Sequence, residues 1–395
     1  MGTYDWMAVL GLLSATMAGV LVSAASVSPD SSALRLLPYP QQVHLLEGSL
    51  TVGPASYRTV GTPSPTEQVA MASLNSYLPR TGRPMQVRLG SLEEGYDQGW
   101  LSAEDRSFLA DDQTSDEASV LMIDGEGVTV VGKGKWGMLY GAQTVNQLIR
   151  GTKASQGVWQ MNTNLPCLKI RDWPDVKWRC LSPSLTWYSG YNRLEGYDLN
   201  NWTLDEWKWL VDWSVLHKCN GWALCMYGYW PFTLPGYEET TLDVDSWFYN
   251  PATGRKAPWR FTHRNIKREF LPQLIRYANA RGLKVYAYIG KNTFNGTYGL
   301  QHPDTNAGGA AELIPFAPGV HEYWDAFIKR IPEMGFNGFV FEDPEANHVP
   351  NQNDQCYQTF WAPWASQYGF HSIAETDQNN PPLGVHVEYY CWLFR

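Results

Sequence analysis

The sequence predicts an α/β protein in two parts, a small N-terminal α/β domain followed by a partial (β/α)8 barrel of the TIM type. Three observations predict this. From Leu165-Pro-Cys167 onward, short apolar runs alternate with helically spaced apolar residues that stop at Gly, the pattern of parallel strands joined by crossover helices. The stretch before it reads instead as strand, tight turn, strand and one long amphipathic helix. In the second part the segments after the strands are long, which suits a barrel whose chemistry sits at the C-terminal strand ends.

The chain opens with an apolar, small-residue run, Met7 to Ala25, in which Val22-Ser-Ala24 and Ser23-Ala-Ala25 fit a small-x-small cleavage site. Residues 1–25 are expected to be a signal peptide, and the protein to be secreted or periplasmic. Asp5 and the lack of a preceding Lys or Arg keep an uncleaved N-terminal anchor as the alternative. Ser26 to Ser32 is a polar linker.

The first domain is expected over 34–165. Val43 to Leu46 reads as a strand, and 66–78 as a helix through Val69, Ala72 and Leu74. The acidic stretch 91–118 reads as surface loop. Ser119–Ile123, Gly125-Glu-Gly127 and Val128–Val131 read as strand, turn, strand. A helix over Gly137–Ile149 buries Leu139, Ala142, Val145 and Ile149. Gly132-Lys-Gly134 lacks the third glycine of a phosphate loop and reads as a plain turn.

The partial barrel is expected over 166–395. Its strands are read at Trp178–Leu181, Trp222–Tyr227, Lys284–Ile289, Phe339–Phe341 and Gly384–Tyr390. Thr203-Leu-Asp-Glu206 is a capping box, and the helix behind it buries Leu204, Trp207, Val211 and Val215. A Pro- and Tyr-rich excursion runs to Trp259. A second helix carries Ile266, Phe270 and Leu274, and a third, with Phe327, Ile328 and Ile331, stops at Gly335. Five strands do not close a barrel of eight. The sequence is thus expected to be a fragment; a strand hidden in 228–260 or an open sheet are the alternatives.

Composition narrows the function. A net charge of -9 with no Lys/Arg cluster argues against nucleic-acid binding. No later run of 18 apolar residues predicts a membrane span. The six Cys lack CxxC spacing, so no zinc cluster is predicted, and no cofactor or metal is implied. The 19 Trp and 22 Tyr mostly serve a core, yet flat rings with a polar handle also suit the C–H faces of sugars. This composition is compatible with a carbohydrate substrate as partner. Asn201-Trp-Thr203 and Asn295-Gly-Thr297 fit the glycosylation sequon of a eukaryotic secretory host.

The candidate site is Gly335-Phe-Asn-Gly-Phe-Val-Phe-Glu-Asp-Pro-Glu345. A buried strand there delivers three carboxylates, Glu342, Asp343 and Glu345, to one end of a sheet. Pro344 holds the preceding residue extended, so the chain leaves the strand in a defined direction. Tyr288 and Tyr227, on neighbouring strands, are candidate wall or hydrogen-bonding residues; core packing is the alternative for both.

The segments Arg35-Leu-Leu-Pro-Tyr-Pro-Gln-Gln42, Gly127–Gly132 and Trp136-Gly-Met-Leu-Tyr-Gly-Ala-Gln-Thr-Val-Asn-Gln-Leu-Ile149 resemble the N-terminal α/β domain of family 20 β-hexosaminidases. Similar domains precede the barrels of family 84 O-GlcNAcases and family 67 α-glucuronidases. Ile170 to Arg179 resembles the segment leading into the family 20 barrel. The resemblance covers residues 34–180 well and the barrel in outline. It implies that Arg179 binds sugar hydroxyls from the first barrel strand; a salt bridge in the barrel floor is the alternative. It also implies an Asp where Ser184 stands, His-x-His-x-x-Asp where Ala223, Cys225 and Gly228 stand, and Pro-Glu where Ala287 and Tyr288 stand. The Asp-Glu pair of the fourth strand is matched, reversed, by Glu342-Asp343.

The chemistry implied is substrate-assisted, with the 2-acetamido oxygen as nucleophile. Glu342 would orient the acetamide and Asp343 would protonate the leaving oxygen; Asp343 with Glu345 is the other pairing. Adjacent carboxylates raise one another's pKa, which keeps an acid available near neutrality. Three readings follow, in order: a secreted hydrolase of N-acetylhexosaminide glycans, a family 67-like α-glucuronidase, and a carbohydrate-binding protein without turnover.

Overall fold

The computed structural model describes residues 34–153, 159–186, 202–226, 230–240, 244–250, 255–261, 270–290, 302–305 and 319–342, with residues 298, 313 and 317. The expected signal segment, both sequons and the expected fifth strand at 384–390 lie outside the described residues.

In the first part, β1 (Gln42–Thr51) and β2 (Ala55–Arg58) precede α1 (Pro65–Asn75). Ser64 and Glu67 close a capping box at its start, and Pro65 sits in its first turn. β3 (Met85–Ser91) follows, with Met85, Val87 and Leu89 buried on alternate positions. The stretch 91–118, expected to be irregular, instead holds α2 (Leu92–Asp97) and α3 (Ala103–Ala110). Both are nucleated by side-chain caps, Ser91 with Glu94 and Ser102 on the Asp105 N–H. β4 (Ser119–Ile123), β5 (Gly127–Gly132) and α4 (Lys135–Arg150) come next, with the short pair β6 (Thr152–Lys153) and β7 (Trp159–Gln160).

β8 (Asn164–Asp172) completes a six-stranded mixed sheet in the order β1-β8-β4-β5-β3-β2. The sheet therefore runs past the expected domain boundary at 165. Pro166 lies where β8 has β1 as a neighbour but is beyond the end of β4, whose partners are Leu168–Asp172. A strand tolerates proline where one side of its ladder is empty. α4 lies on this sheet, and Gly137 lets it approach closely: a Cβ there would sit 2.0 Å from the Ala118 carbonyl oxygen.

The second part begins with β9 (Cys180–Leu181) and β10 (Ser184–Thr186). α5 (Leu204–Leu216) starts at the expected capping box of Thr203 and Glu206. It buries Trp207, Val211 and Val215, with Leu204 half-buried. β11 (Gly221–Met226) follows. The excursion then forms an antiparallel hairpin, β12 (Val244–Asn250) with β13 (Arg255–Phe261), outside the parallel sheet. α6 (Phe270–Asn279), β14 (Lys284–Gly290), α7 (Val320–Glu333) and β15 (Phe339–Glu342) complete the described fold. Parallel pairing joins β10, β11, β14 and β15 in that order, with β9 also on β11. The described strands thus form an arc of a barrel with helices on its outer side.

The two parts are joined by packing and by hydrogen bonds. The Gln147 amide of α4 accepts from the Leu37 N–H at 2.7 Å and donates to the Leu37 carbonyl at 2.8 Å and the Leu216 carbonyl at 2.7 Å. It thereby satisfies a carbonyl in the last turn of α5. Trp136 lies over Gly282, whose φ of +76° and lack of a side chain leave room for the indole. Among the described residues, no helix is long and apolar enough to cross a membrane.

Candidate active site at the strand ends

Strand alternation gives the parallel sheet two faces. Trp222, Leu224 and Met226 of β11, with Val285, Ala287 and Ile289 of β14, are buried on the helix side. The opposite, inner face carries Ala223, Cys225, Tyr286, Tyr288 and Val340. Register aligns Ser184, Cys225, Tyr288 and Val340 in one row across four strands. Cys225 is buried, Tyr288 half-buried and Val340 36% exposed. Burial pushes the Tyr288 phenol above its ordinary pKa, and Cys225 beside it adds to this. It stays a neutral hydrogen-bonding group near pH 7.

Two residues further along, Glu342 ends β15 opposite Gly290. This is the C-terminal edge of the sheet, where sites of parallel α/β folds form. Asp343, Glu345 and Tyr227 lie outside the described residues. Tyr288 and Glu342 thus lie on neighbouring strands, two residue rows apart.

Arg179 is not brought to them. It immediately precedes β9, whose Cys180 aligns with Gly221 at the start of β11, itself aligned with Lys284 at the start of β14. Six residues of β14 separate that row from the row of Glu342, about 20 Å at the rise of a strand. Arg179 Nη2 instead donates to Glu117 Oε2 at 2.6 Å, and its Nε and Nη1 to the Lys218 and Val176 carbonyls, both at 2.8 Å. Asn220 donates to the other Glu117 oxygen and accepts from the Arg179 N–H. Arg179 is therefore placed as a floor salt bridge tying the first domain to the barrel, the alternative to sugar binding. Its partner Glu117 lies 62 positions away, in a stretch that reads as loop, so no local pattern signals the pair. Also unremarked was the inner-face Tyr286, whose ring meets Trp178 edge-on at 6.2 Å.

The described residues thus form a mixed α/β domain followed by a parallel sheet that makes part of a barrel. Residues 33–173 match the family model of glycosyl hydrolase family 20, domain 2. Among solved structures, the fold is similar to the family 20 β-N-acetylhexosaminidase of Streptomyces coelicolor (18% identity, 86% of this chain and 65% of that one, TM-score 0.59). It is similar also to the β-N-acetylhexosaminidase of Bacteroides fragilis (14% identity, 84% and 60%, TM-score 0.54). A third is the exo-β-N-acetylglucosaminidase of Vibrio harveyi, solved with N-acetylglucosamine (14% identity, 86% and 50%, TM-score 0.56). The chain spans between half and about two thirds of the length of these proteins. No curated protein sequence matches it. The expected family 20-like character is thus found in the first domain's sequence and in the fold over most of the chain.

Proposed function

We propose that the protein is a glycoside hydrolase acting on N-acetylhexosaminide-containing glycans by a substrate-assisted mechanism. The observation that carries the reading is Glu342 at the C-terminal edge of a parallel sheet, in a chain whose first domain matches family 20. Period-two alternation assigns position 342 to the face of Val340 and Tyr288. The N-acetylglucosamine held by the Vibrio harveyi enzyme supports the substrate class.

In this mechanism the 2-acetamido oxygen attacks the anomeric carbon as the glycosidic C–O bond breaks. Glu342 orients and polarises the acetamide through its N–H. Asp343 gives its proton to the leaving oxygen, then takes one from the water that opens the cyclic intermediate. Tyr288 forms part of the wall of the sugar site. Residues 1–25 direct export, which N-terminal sequencing of protein recovered outside the cell would test.

Turnover of an aryl N-acetylglucosaminide tests the chemistry. Asp343→Asn should lower it by a factor on the order of a hundred or more while leaving the fold intact; unchanged turnover sinks the assignment. Release of glucuronic acid from an aryl glucuronide would replace the substrate class.

One observation favours a second reading, carbohydrate binding without turnover. Ala223 and Cys225 occupy the inner-face positions where the resemblance implies two histidines, and Cys225 is buried. Glycan binding that persists in Glu342→Gln, with no turnover by the unaltered protein, would select it.

A further inference from the structure

The outer, helical layer holds a groove that the strand-end site does not use. It lies between α1 and α4 of the first domain and α5 and α6 of the barrel, with a volume of about 370 Å³, within the range of small-ligand sites. The inward stripe of α5 is Trp207, Val211 and Val215, and Trp209 falls off it. Trp209 is 58% exposed at the groove, and its ring is steadied edge-on by Trp202 at 6.3 Å. Its exposed face is available to a ring-stacking ligand in the groove.

One turn along, the Asp212 carboxylate accepts from the Tyr277 hydroxyl at 2.7 Å and from Arg281 Nε at 2.8 Å. The guanidinium carbon of Arg281 sits 3.4 Å from the Tyr277 ring centroid. These contacts hold a carboxylate and a guanidinium at the groove without exhausting them. A carboxylate has about four acceptor sites and a guanidinium five N–H donors. A fixed indole beside a paired acceptor and donor is complementary to a pyranose. The C–H face of the sugar lies on the ring, and its neighbouring hydroxyls meet the charged pair.

We propose that this groove is a second glycan-binding site, separate from the strand-end site, that takes a sugar unit of an oligosaccharide chain. The choice of an N-acetylhexosamine chain as probe rests on the functional reading above; the groove's geometry does not.

Isothermal titration of the full chain with a tetrasaccharide of β-linked N-acetylglucosamine tests it, in a Glu342→Gln background that suppresses turnover. The expected result is binding that weakens by about tenfold or more when Trp209→Ala is added. Trp209→Phe, which keeps a ring, should retain most of the affinity. Trp209→Ala alone should hydrolyse an aryl monosaccharide substrate at the unaltered rate. Absence of binding, or equal affinity with and without Trp209, overturns the proposal. If the unaltered protein shows no turnover but Trp209-dependent binding persists, the hydrolase reading fails and the groove stands.

Discussion

Arg179→Ala separates a floor salt bridge from a sugar-binding role. The substitution deletes the 2.6 Å ion pair to Glu117 and the donors to the Lys218 and Val176 carbonyls. Glu117 is left with the Asn220 amide, in a site where its side chain is 20% exposed and that of Arg179 19%. Removing one partner of a buried pair costs about 3–5 kcal/mol, and this partial exposure selects the low end. Loss of the guanidinium from beside the Tyr140 ring, at 5.6 Å, adds about 0.5 kcal/mol. The expected destabilisation is therefore about 3–4 kcal/mol, read as a lower urea midpoint at unchanged slope. A cycle with Glu117→Gln should return a coupling energy of about 2 kcal/mol. The KM for an aryl N-acetylglucosaminide should not move at temperatures where the variant is folded. A stability change below about 1 kcal/mol together with a tenfold rise in KM would refute the floor assignment.

Two further outcomes are expected. Gly137→Ala should destabilise the chain by about 1–2 kcal/mol in urea unfolding. The helix propensity it gains, about 1 kcal/mol, is outweighed by forcing α4 off the Ala118 carbonyl, and net stabilisation would contradict the close approach. Asp105 contributes to the acid sensitivity of the first domain. Burial acts to raise its carboxyl pKa, but hydrogen bonds from Lys169, Ser102 and Arg171, with the Lys169 charge, overcome this and hold it below the ordinary value. A folded pKa below the unfolded one stabilises fully above about pH 4 and is lost as the pH falls below that. The stability gap between the unaltered protein and Asp105→Asn should thus narrow from pH 7 to pH 3; a constant gap would show that the carboxylate's charge is not what matters.

Much of the fold was legible because it rests on local signals. α5 announces itself through Thr203 and Glu206, and α4 through Leu139, Ala142, Val145 and Ile149. The helices α2 and α3 were missed because six to eight residues are too few for a 3.6-residue period to show. Their signal was confined to the caps at Ser91 and Ser102. β3 carries a clean alternation that went unread, whereas the hairpin β12–β13 is Trp- and Tyr-rich with Pro258 inside it and shows no clear period. The strand end at Glu342 is legible because an apolar run ending in acids is visible in one dimension. For Arg179 the sequence leaves both a sugar-binding and a floor role open: Trp178–Leu181 reads as a strand, whereas the strand begins at Cys180. Which end of a sheet a residue serves depends on strand partners such as Gly221 and Lys284, distant in sequence.

The Gln147 amide also bears on how this architecture divides. Two of its three bonds hold Leu37 within the first domain, and the third crosses to the Leu216 carbonyl in the last turn of α5. Trp136 over Gly282 and Arg179 on Glu117 cross the same seam. A cut between Asp172 and Cys180 would therefore part no flexible tether. It would strand a glutamine, an indole and an acid on one piece, and a helix-end carbonyl and an arginine on the other. The α/β unit is less a detachable module than a keystone, and grafting it onto another barrel would require a floor that answers each of these groups.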